Sequence, residues 1–170
     1  MQSKISSSRV ALLAMAALCS GALSAAELTS ADYTAIQQLY ARYNSTIDRG
    51  DAEGWANTFT SDGVFAGNFK GHEALVGFVN NWRANMNGAA RRHFSADLVI
   101  TPTAEGATGS VSTLLVDLAT KPASINGYVT YSDVLVKTPA GWRFKSRAIT
   151  PQTAPAAAAT APAPAAPAAR

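Results

Sequence analysis

The spacing of apolar residues changes once along this chain, and this change limits the possible folds more than any other feature. In the first half, apolar side chains recur at helical spacing, as Ile36, Tyr40, Tyr43 and Ile47 do. After the Asn87-Gly88 dipeptide, the sequence becomes rich in strand-forming residues that are separated by turn signals. Helices that come first and antiparallel strands that follow predict an α+β fold, with the helices covering one face of a sheet.

The helices are predicted from their ends and their apolar faces. The first begins at Thr29 or Ser30 and ends at Gly50, because a hydroxyl caps a helix start and glycine suits a helix end. Two shorter helices follow, one after Asp51 and one after Gly71. The residues that we expect them to bury are Trp55 and Phe59 in the second helix, and Leu75, Phe78, Val79, Trp82 and Met86 in the third.

The strands are predicted to form a long, curved antiparallel sheet that wraps around the three helices as a cone. Val64-Phe65 starts a short strand, and the turn Pro139-Ala140-Gly141 joins the last two strands into a hairpin. The concave side of such a sheet is mostly apolar, so we expect a small ligand to bind there. The four long strands are predicted at residues 92–101, 109–120, 128–137 and 141–149.

Both ends of the chain are predicted to lie outside this domain, which spans residues 27–150. Residues 1–26 resemble a secretory signal peptide, with two basic residues, a short apolar run and small residues before the cleavage point. The alternative, a transmembrane helix, would need a longer apolar run. Residues 151–170 are rich in Pro and Ala and are predicted to be a disordered tail. We therefore expect a periplasmic or secreted protein with no stable membrane insertion after removal of the signal peptide.

The charge of the predicted domain argues against a polyanionic partner. The chain has 14 Lys and Arg residues against 11 Asp and Glu, but Lys4, Arg9 and Arg170 lie outside residues 27–150. The domain is therefore neutral, Arg91-Arg92 is only a basic doublet, and we expect no nucleic-acid partner. The single cysteine, Cys19, lies in the predicted signal peptide, so the mature domain can form neither a disulfide nor a thiolate site.

Asp48 and His93 are the candidate catalytic residues. Asp48 lies at the end of the first helix, which also carries Tyr40 and Tyr43, and His93 lies at the start of the first long strand. If the two meet in a pocket, the imidazole can take a proton while the carboxylate orients the ring and stabilises its charged form. Their separation in the sequence leaves the alternative open that Asp48 is a solvated turn residue and His93 a structural histidine.

No metal site and no cofactor are predicted. Of the two histidines, His72 lies at a helix start, where a capping or surface role is more common. His93 and Asp97 could share a strand face, but two ligands are too few for zinc. The sequence also lacks a glycine-rich phosphate loop and a nucleophile elbow. Asp133 and Arg147, on neighbouring strands, are predicted to form a structural cross-strand pair.

Five segments of the chain share their order and spacing with a known family. They are Ile36-Gln37-Gln38-Leu39-Tyr40 with Asp48, Gly50-Asp51 and Trp55; Phe59-Thr60-Ser61-Asp62-Gly63-Val64-Phe65; Gly71-His72-Glu73-Ala74-Leu75; Arg92-His93; and Tyr131-Ser132-Asp133 with Gly141-Trp142-Arg143-Phe144 and Arg147. Together they resemble the SnoaL-like family of the nuclear transport factor 2-like superfamily, over about residues 30–149. The resemblance implies a cone-shaped sheet wrapped around three helices, and it implies a homodimer.

The resemblance also implies roles for two residues. Relatives such as scytalone dehydratase and hexachlorocyclohexane dehydrochlorinase use an Asp from the end of the first helix and a His from a sheet strand, and Asp48 and His93 match these two. Independently of the resemblance, Tyr40, Tyr43 and Tyr131 are candidate substrate-binding residues that could donate hydrogen bonds in a pocket, and the alternative for each is packing in the aromatic core. The implied function is a cofactor-free lyase or isomerase that acts on a small apolar or cyclic ligand. The alternatives are a small-molecule-binding domain without turnover and a dimeric structural domain.

Overall fold

The computed structural model describes residues 27–152. The predicted signal peptide, residues 1–26, and residues 153–170 of the predicted tail lie outside this range. The described part contains helices followed by a sheet, so the predicted α+β class is confirmed. The helices are α1 (Ser30–Arg49), α2 (Ala52–Ala56) and α3 (His72–Asn85), followed by a short 3-10 turn (Gly88–Ala90). The strands are β1 (Phe59–Phe65), β2 (Phe69–Lys70), β3 (Arg91–Thr103), β4 (Gly106–Asp117), β5 (Ser124–Thr138) and β6 (Gly141–Pro151).

Helix α1 begins and ends where the sequence predicts, because both of its ends are capped. The Thr29 hydroxyl accepts a hydrogen bond from the backbone N–H of Asp32, and the Asp32 carboxylate accepts one from the backbone N–H of Thr29. This reciprocal pair satisfies donors that the first helical turn would otherwise leave free. At the other end, Gly50 adopts a left-handed conformation with φ of 75°, which glycine does without steric cost. The length of α1 therefore determines where Asp48 lies.

The six strands of the described residues form one curved, unclosed sheet. Its order is β2-β1-β6-β5-β4-β3, so the last of these six strands in chain order lies in the interior of the sheet. Neighbouring strands are antiparallel except β1 and β6, which run parallel. The sheet is therefore mixed, which corrects the prediction of an antiparallel sheet at this one pairing. A parallel pair needs a long crossover, and here α3 and strands β3 to β5 lie between the two strands in the chain.

Three boundaries differ from the prediction, because contacts made on folding override the local pattern. Phe59 lies at the start of β1 and not in the second helix, since it pairs with Phe144 of β6. Met86 lies beyond the end of α3 and is 47% exposed, so it does not belong to the buried stripe. Strand β6 continues to Pro151, and the backbone N–H of Gln152 donates to β5. Strand β6 thus extends one residue, Pro151, into the segment that was predicted as tail.

The hydrophobic core fills the space between the helices and the concave face of the sheet. At its centre, Trp55 packs against Tyr43, Phe59 and Phe65, with ring centroids 5.1 to 5.2 Å apart. Large buried rings of this kind dominate the packing energy of a core and hold α1 in place on the sheet. None of the helices within residues 27–152 combines the length and the apolar character that a membrane crossing requires.

Strand β3 contains a bulge at Asp97, downstream of His93. The register with β4 shifts between Ala96 and Val99, and Asp97 adopts a φ of 57°. Apart from glycine, Asn and Asp are the residues that adopt this left-handed conformation most readily. Asp97 therefore has a backbone role at this position. Upstream of the bulge, β3 keeps regular pairing with β4, and His93 stands opposite Leu115.

Candidate active site

The last turn of α1 and the start of β3 bring Asp48 and His93 into contact. Oδ1 of Asp48 lies 2.6 Å from Nδ1 of the His93 ring, and Oδ2 accepts a hydrogen bond of 3.1 Å from the backbone N–H of His93. The Asp48 side chain is 14% exposed and the His93 side chain 4% exposed. The structure therefore places the two candidate residues side by side and largely out of bulk water. Their catalytic role stays a prediction.

The contact with Asp48 determines which nitrogen of a neutral His93 carries the proton. An ionised carboxylate only accepts hydrogen bonds, so Nδ1 donates and the proton resides there. Nε2 then keeps its lone pair, which is the form that a general base needs. Within residues 27–152, Nε2 forms no hydrogen bond with a side chain or with the backbone. Asp48 thus orients the imidazole through Nδ1, and Nε2 remains available to a ligand.

His93 lines a cavity of about 220 Å³ between α1, α3 and the sheet. Trp82 of α3 also lines it, and its ring centroid lies 5.8 Å from that of His93. An apolar cavity of about 150 Å³ is large enough to bind benzene, so this volume suits a compound with one or two small rings. The walls are mostly apolar and include Ile47, Phe65, Phe78, Leu115, Val129 and Ile149.

Two of the three candidate tyrosines line the same cavity. The Tyr43 side chain is fully buried, and its hydroxyl has no hydrogen-bond partner among the described residues. Tyr131 is also buried, on the facing strand β5. Burial raises the pKa of both hydroxyls above the usual tyrosine value. Both groups therefore remain protonated at neutral pH and can donate hydrogen bonds to a ligand oxygen.

Tyr40, the third candidate tyrosine, is bound to a different group. Its hydroxyl donates a hydrogen bond to the carboxylate of Asp133. Tyr40 borders a second hollow, of about 440 Å³, which His93 and Asn44 also line. Tyr40 and Tyr43 lie on the same face of α1, so the sequence alone does not distinguish them. The structure brings Tyr43, and not Tyr40, to the cavity lined by Tyr131.

The predicted cross-strand pair of Asp133 and Arg147 is confirmed. The two residues stand opposite each other on β5 and β6, and Arg147 donates two hydrogen bonds of 2.7 Å to the carboxylate. Burial acts to lower the pKa of Arg147, but the adjacent Asp133 outweighs this effect, and the pKa lies above the usual arginine value. Arg147 therefore keeps its charge although it is 1% exposed.

Arg91 is a cavity residue that the sequence analysis treated only as half of a basic doublet. It lines the same cavity as His93, and its Nε atom is buried without a hydrogen-bond partner among residues 27–152. The signal that could have identified it is the period of two along a strand, which places the side chains of Arg91 and His93 on one face of β3.

The remaining candidate ligands do not gather around a centre. Within the part of the chain that the structure describes, no group of three or more His, Cys, Asp or Glu side chains could hold a metal ion. His72 lies at the first residue of α3, where its ring is 43% exposed and pairs with Glu53 at 3.4 Å. This position agrees with the surface role predicted for it.

The fold and the site define a class of small α+β domains in which a curved sheet packs on three helices around an apolar cavity, as in nuclear transport factor 2-like proteins with a cystatin-like fold. Residues 28–148 match the family model of the SnoaL-like domain. The chain therefore belongs to the SnoaL-like domain family, which includes polyketide cyclases and dehydratases. The resemblance seen in the sequence is thereby confirmed. A comparison with functionally curated proteins finds no match.

Three solved structures illustrate the similarity. A protein of unknown function from Mycobacterium tuberculosis, Rv3472, is 30% identical, with 72% of each chain covered and a TM-score of 0.63. A protein from Catenulispora acidiphila, in complex with S-DNPA, is 28% identical over 72% of this chain and 95% of that chain, with a TM-score of 0.64. An NTF2-like protein from Novosphingobium aromaticivorans, 24% identical over 75% of this chain and 86% of that chain, has a TM-score of 0.66 and supports the fold alone.

Proposed function

We propose that this protein is a cofactor-free enzyme, a lyase or an isomerase, that removes a proton from a carbon atom of a small cyclic substrate. The observation that carries the proposal is the double contact between Asp48 and His93. It leaves Nε2 of a buried imidazole without a partner among the described residues, and His93 lines both the apolar cavity and the second hollow beside it. A histidine held in this way is suited to general base catalysis. Membership in a family that includes cyclases and dehydratases supports the same class of reaction.

In the proposed mechanism, Nε2 of His93 takes a proton from a carbon next to a carbonyl group. Asp48 keeps the ring oriented and stabilises the imidazolium that forms. The electron pair of the broken C–H bond moves to the carbonyl oxygen, where the hydroxyls of Tyr43 and Tyr131 donate hydrogen bonds to the enolate. In an isomerase, the proton returns to a different carbon. In a lyase, the enolate expels hydroxide from the adjacent carbon, and the proton on His93 converts this hydroxide to water.

The proposal also includes export, a small ligand and a dimer. Export to the periplasm or the medium is supported by the signal-peptide pattern of residues 1–26. The S-DNPA complex of the Catenulispora acidiphila relative supports a small ligand for this fold. A homodimer is supported by the outer face of the sheet, where Phe94, Leu114 and Tyr128 form an exposed row across three strands. Light scattering of the mature protein, with and without Leu114→Lys, tests the dimer.

Proton exchange tests the general base without knowledge of the natural substrate. Cyclohexanone or tetralone is incubated with the protein in D₂O, and the loss of the α-C–H signal is followed by NMR. The wild type is expected to accelerate the exchange. His93→Gln should lower the protein-dependent rate by about 10²- to 10⁴-fold, which is the usual contribution of a positioned general base. Asp48→Asn should also lower it, because an amide no longer enforces the tautomer.

His72→Gln is the matched control, because it removes the other histidine of the chain, which is exposed beside Glu53. This variant should exchange protons as fast as the wild type. A wild-type rate equal to that of buffer, or a His93→Gln variant as fast as the wild type, would reject the general base. Circular dichroism of each variant verifies that the fold is retained.

A binding domain without turnover is the second candidate. It is favoured by the two buried donors, the Tyr43 hydroxyl and Nε of Arg91, that line the cavity without a partner in residues 27–152. Such donors bind a ligand whether or not a reaction follows. This candidate predicts tight ligand binding, no proton exchange in the wild type, and unchanged affinity in His93→Gln.

A further inference from the structure

We infer that the cavity selects compounds that carry an anionic oxygen, a carboxylate or a phenolate, and that Arg91 is the residue that recognises this charge. This inference rests on the proposed function, because it names the class of substrate that binds in the same cavity. It goes beyond that function because a general base does not in itself require a charged substrate.

Strand β3 holds Arg91 at the cavity. Arg91 and His93 alternate with Arg92 along the strand, so their side chains share one face, and both line the cavity. Arg91 is half-buried, whereas Met86, which lines the same cavity, is 47% exposed. This part of the cavity therefore lies close to the surface. A guanidinium at such a position is always charged and can meet a ligand that arrives from water.

The guanidinium of Arg91 lacks the partner that a partly desolvated charge normally has. Its Nε atom is buried and forms no hydrogen bond within residues 27–152. The ion pairs formed in that range do not include Arg91. Taking a charged donor out of water without a partner is unfavourable, so such groups are usually paired. An oxyanion of a bound ligand would supply the missing acceptor.

The residue best placed to pair with Arg91 is bound to other groups. Asp117 stands directly opposite Arg91 in the register of β3 and β4, where opposite charges normally attract. Its carboxylate instead accepts a hydrogen bond of 2.8 Å from the backbone N–H of Ala119 and one of 3.4 Å from the side chain of Asn87. Asp117 thus stabilises the turn after β4, and the charge of Arg91 stays available to the cavity.

The other charged groups near the cavity are held in hydrogen-bonded pairs. Arg147 is paired with Asp133, and Asp48 is bound to His93. Among the described residues that line the cavity, Arg91 is the one with a permanent charge, and it has no ion-pair partner there. A guanidinium presents a planar fork of donors that matches a carboxylate, and it also binds a single oxyanion. Because the remaining walls are mostly apolar, the rest of the ligand should be an uncharged ring.

Pairs of ligands that differ mainly in charge test the inference. Benzoate is compared with benzamide, and 4-nitrophenolate with nitrobenzene, by isothermal titration calorimetry on the mature protein. In at least one pair, the wild type should bind the anion about 10-fold or more tightly than the neutral ligand. The reason is that charge-assisted hydrogen bonds are about twice as strong as neutral ones. The pair with the larger ratio identifies a carboxylate or a phenolate as the preferred group. A wild type without preference in either pair overturns the inference.

Two neighbouring arginines provide a variant and its matched control. Arg91→Gln should weaken binding of the anion by about 10- to 100-fold and change binding of the neutral ligand by less than about twofold. Arg92→Gln removes the same charge one residue away, where the side chain donates to the backbone carbonyls of Ala89 and Arg91. It should keep the wild-type preference. Equal losses in both variants, or no loss in Arg91→Gln, would overturn the inference, and Arg91→Lys should restore part of the preference.

His93→Gln separates this inference from the proposed function. The variant should lose proton exchange and keep the preference for anions, since Arg91 is unchanged. A wild type that prefers anions but exchanges no protons rejects the general base and supports the inference. A wild type that exchanges protons but binds both members of each ligand pair equally rejects the inference and supports the general base.

Discussion

Two acid–base pairs among the described residues, Asp133–Arg147 and Asp48–His93, differ in what they leave available to a ligand. Arg147 donates twice to Asp133, and Tyr40 donates to the same carboxylate. Asp48 also contacts His93 twice, yet His93 keeps one ring nitrogen at a cavity wall with no partner among the described residues. We call Asp133–Arg147 the closed pair, because both oxygens of its carboxylate accept hydrogen bonds from the protein. We call Asp48–His93 the open pair, because Nε2 of His93 has no partner among the described residues. The feature that distinguishes the candidate site is therefore a ring nitrogen, Nε2 of His93, that has no hydrogen-bond partner among the described residues.

The surroundings of the two pairs explain this difference. The guanidinium of the closed pair lies among aromatic rings whose centres are 4.1 to 4.9 Å away, namely those of Tyr40, Tyr43, Tyr131 and Phe144. A permanent charge in such a place is tolerated only when it is fully paired. The imidazole of His93 can be neutral, so a free nitrogen facing an apolar cavity costs far less.

Breaking the closed pair should have the largest effect on stability. Asp133→Ala leaves Arg147 buried without its carboxylate, and the free energy of unfolding should fall by about 3–5 kcal/mol. Asp48→Ala is the matched variant of the open pair and should cost less, about 1–3 kcal/mol, because it leaves no permanently charged group buried without a partner. Urea denaturation followed by circular dichroism measures both. A larger fall in the free energy of unfolding for Asp48→Ala than for Asp133→Ala would refute the conclusion that the closed pair contributes more to stability.

Alkaline pH should destabilise the region around the closed pair. Burial, with Asp133 as a further cause for Tyr40, raises the pKa of Tyr40, Tyr43 and Tyr131 above the usual value of about 10. Above that pH the unfolded chain loses protons that the native state keeps. Stability is therefore fully present below about pH 10 and falls as pH rises, by up to about 1.4 kcal/mol per pH unit for each tyrosine.

Urea midpoints measured over a series of alkaline pH values test this dependence. Tyr40→Phe should make the decline with pH less steep, because one buried hydroxyl no longer titrates on unfolding. Tyr128→Phe changes an exposed ring and serves as the control. A slope that Tyr40→Phe leaves unchanged would contradict the prediction.

Of these variants, Tyr43→Phe should have the smallest effect on stability, although Tyr43 lines the same cavity as His93. Its hydroxyl is buried without a partner in residues 27–152, so its removal should change the free energy of unfolding by less than about 1 kcal/mol. Affinity for benzoate should fall by about 3- to 10-fold, as expected for one lost hydrogen bond. Tyr40→Phe, which loses its bond to Asp133, should be the less stable variant. A reversed order would mean that Tyr43 has a structural role.

The sequence predicts the parts of the fold that local patterns determine. Helix α1 ends as expected because Thr29 and Gly50 act on their immediate neighbours. The parallel pairing of β1 with β6 was not predicted, because a seven-residue strand contains no pattern that selects a distant neighbour. Phe59 was assigned to the wrong element for the same reason, since its partner Phe144 is remote in the chain.

The candidate site was predictable as a pair of residues and not as a charged cavity. Asp48 and His93 were identified through the family pattern, and the structure brings them together. The positive charge at the cavity depends on Asp117 binding the turn after β4 instead of Arg91, and no sequence pattern determines that choice. Residue spacing also does not distinguish Tyr40 from Tyr43, because the two differ in the remote contacts of their hydroxyls.

The interior position of β6 has a consequence for synthesis of the chain. Strands β1 and β5 are both neighbours of β6, which is translated after the other five strands of the described residues. A nascent chain that stops before Gly141 therefore presents two unpaired strand edges, which can recruit other chains. Pairing between distant strands is also slow to form. Between translation of β1 and release of β6, these two edges are therefore open to pairing with other chains.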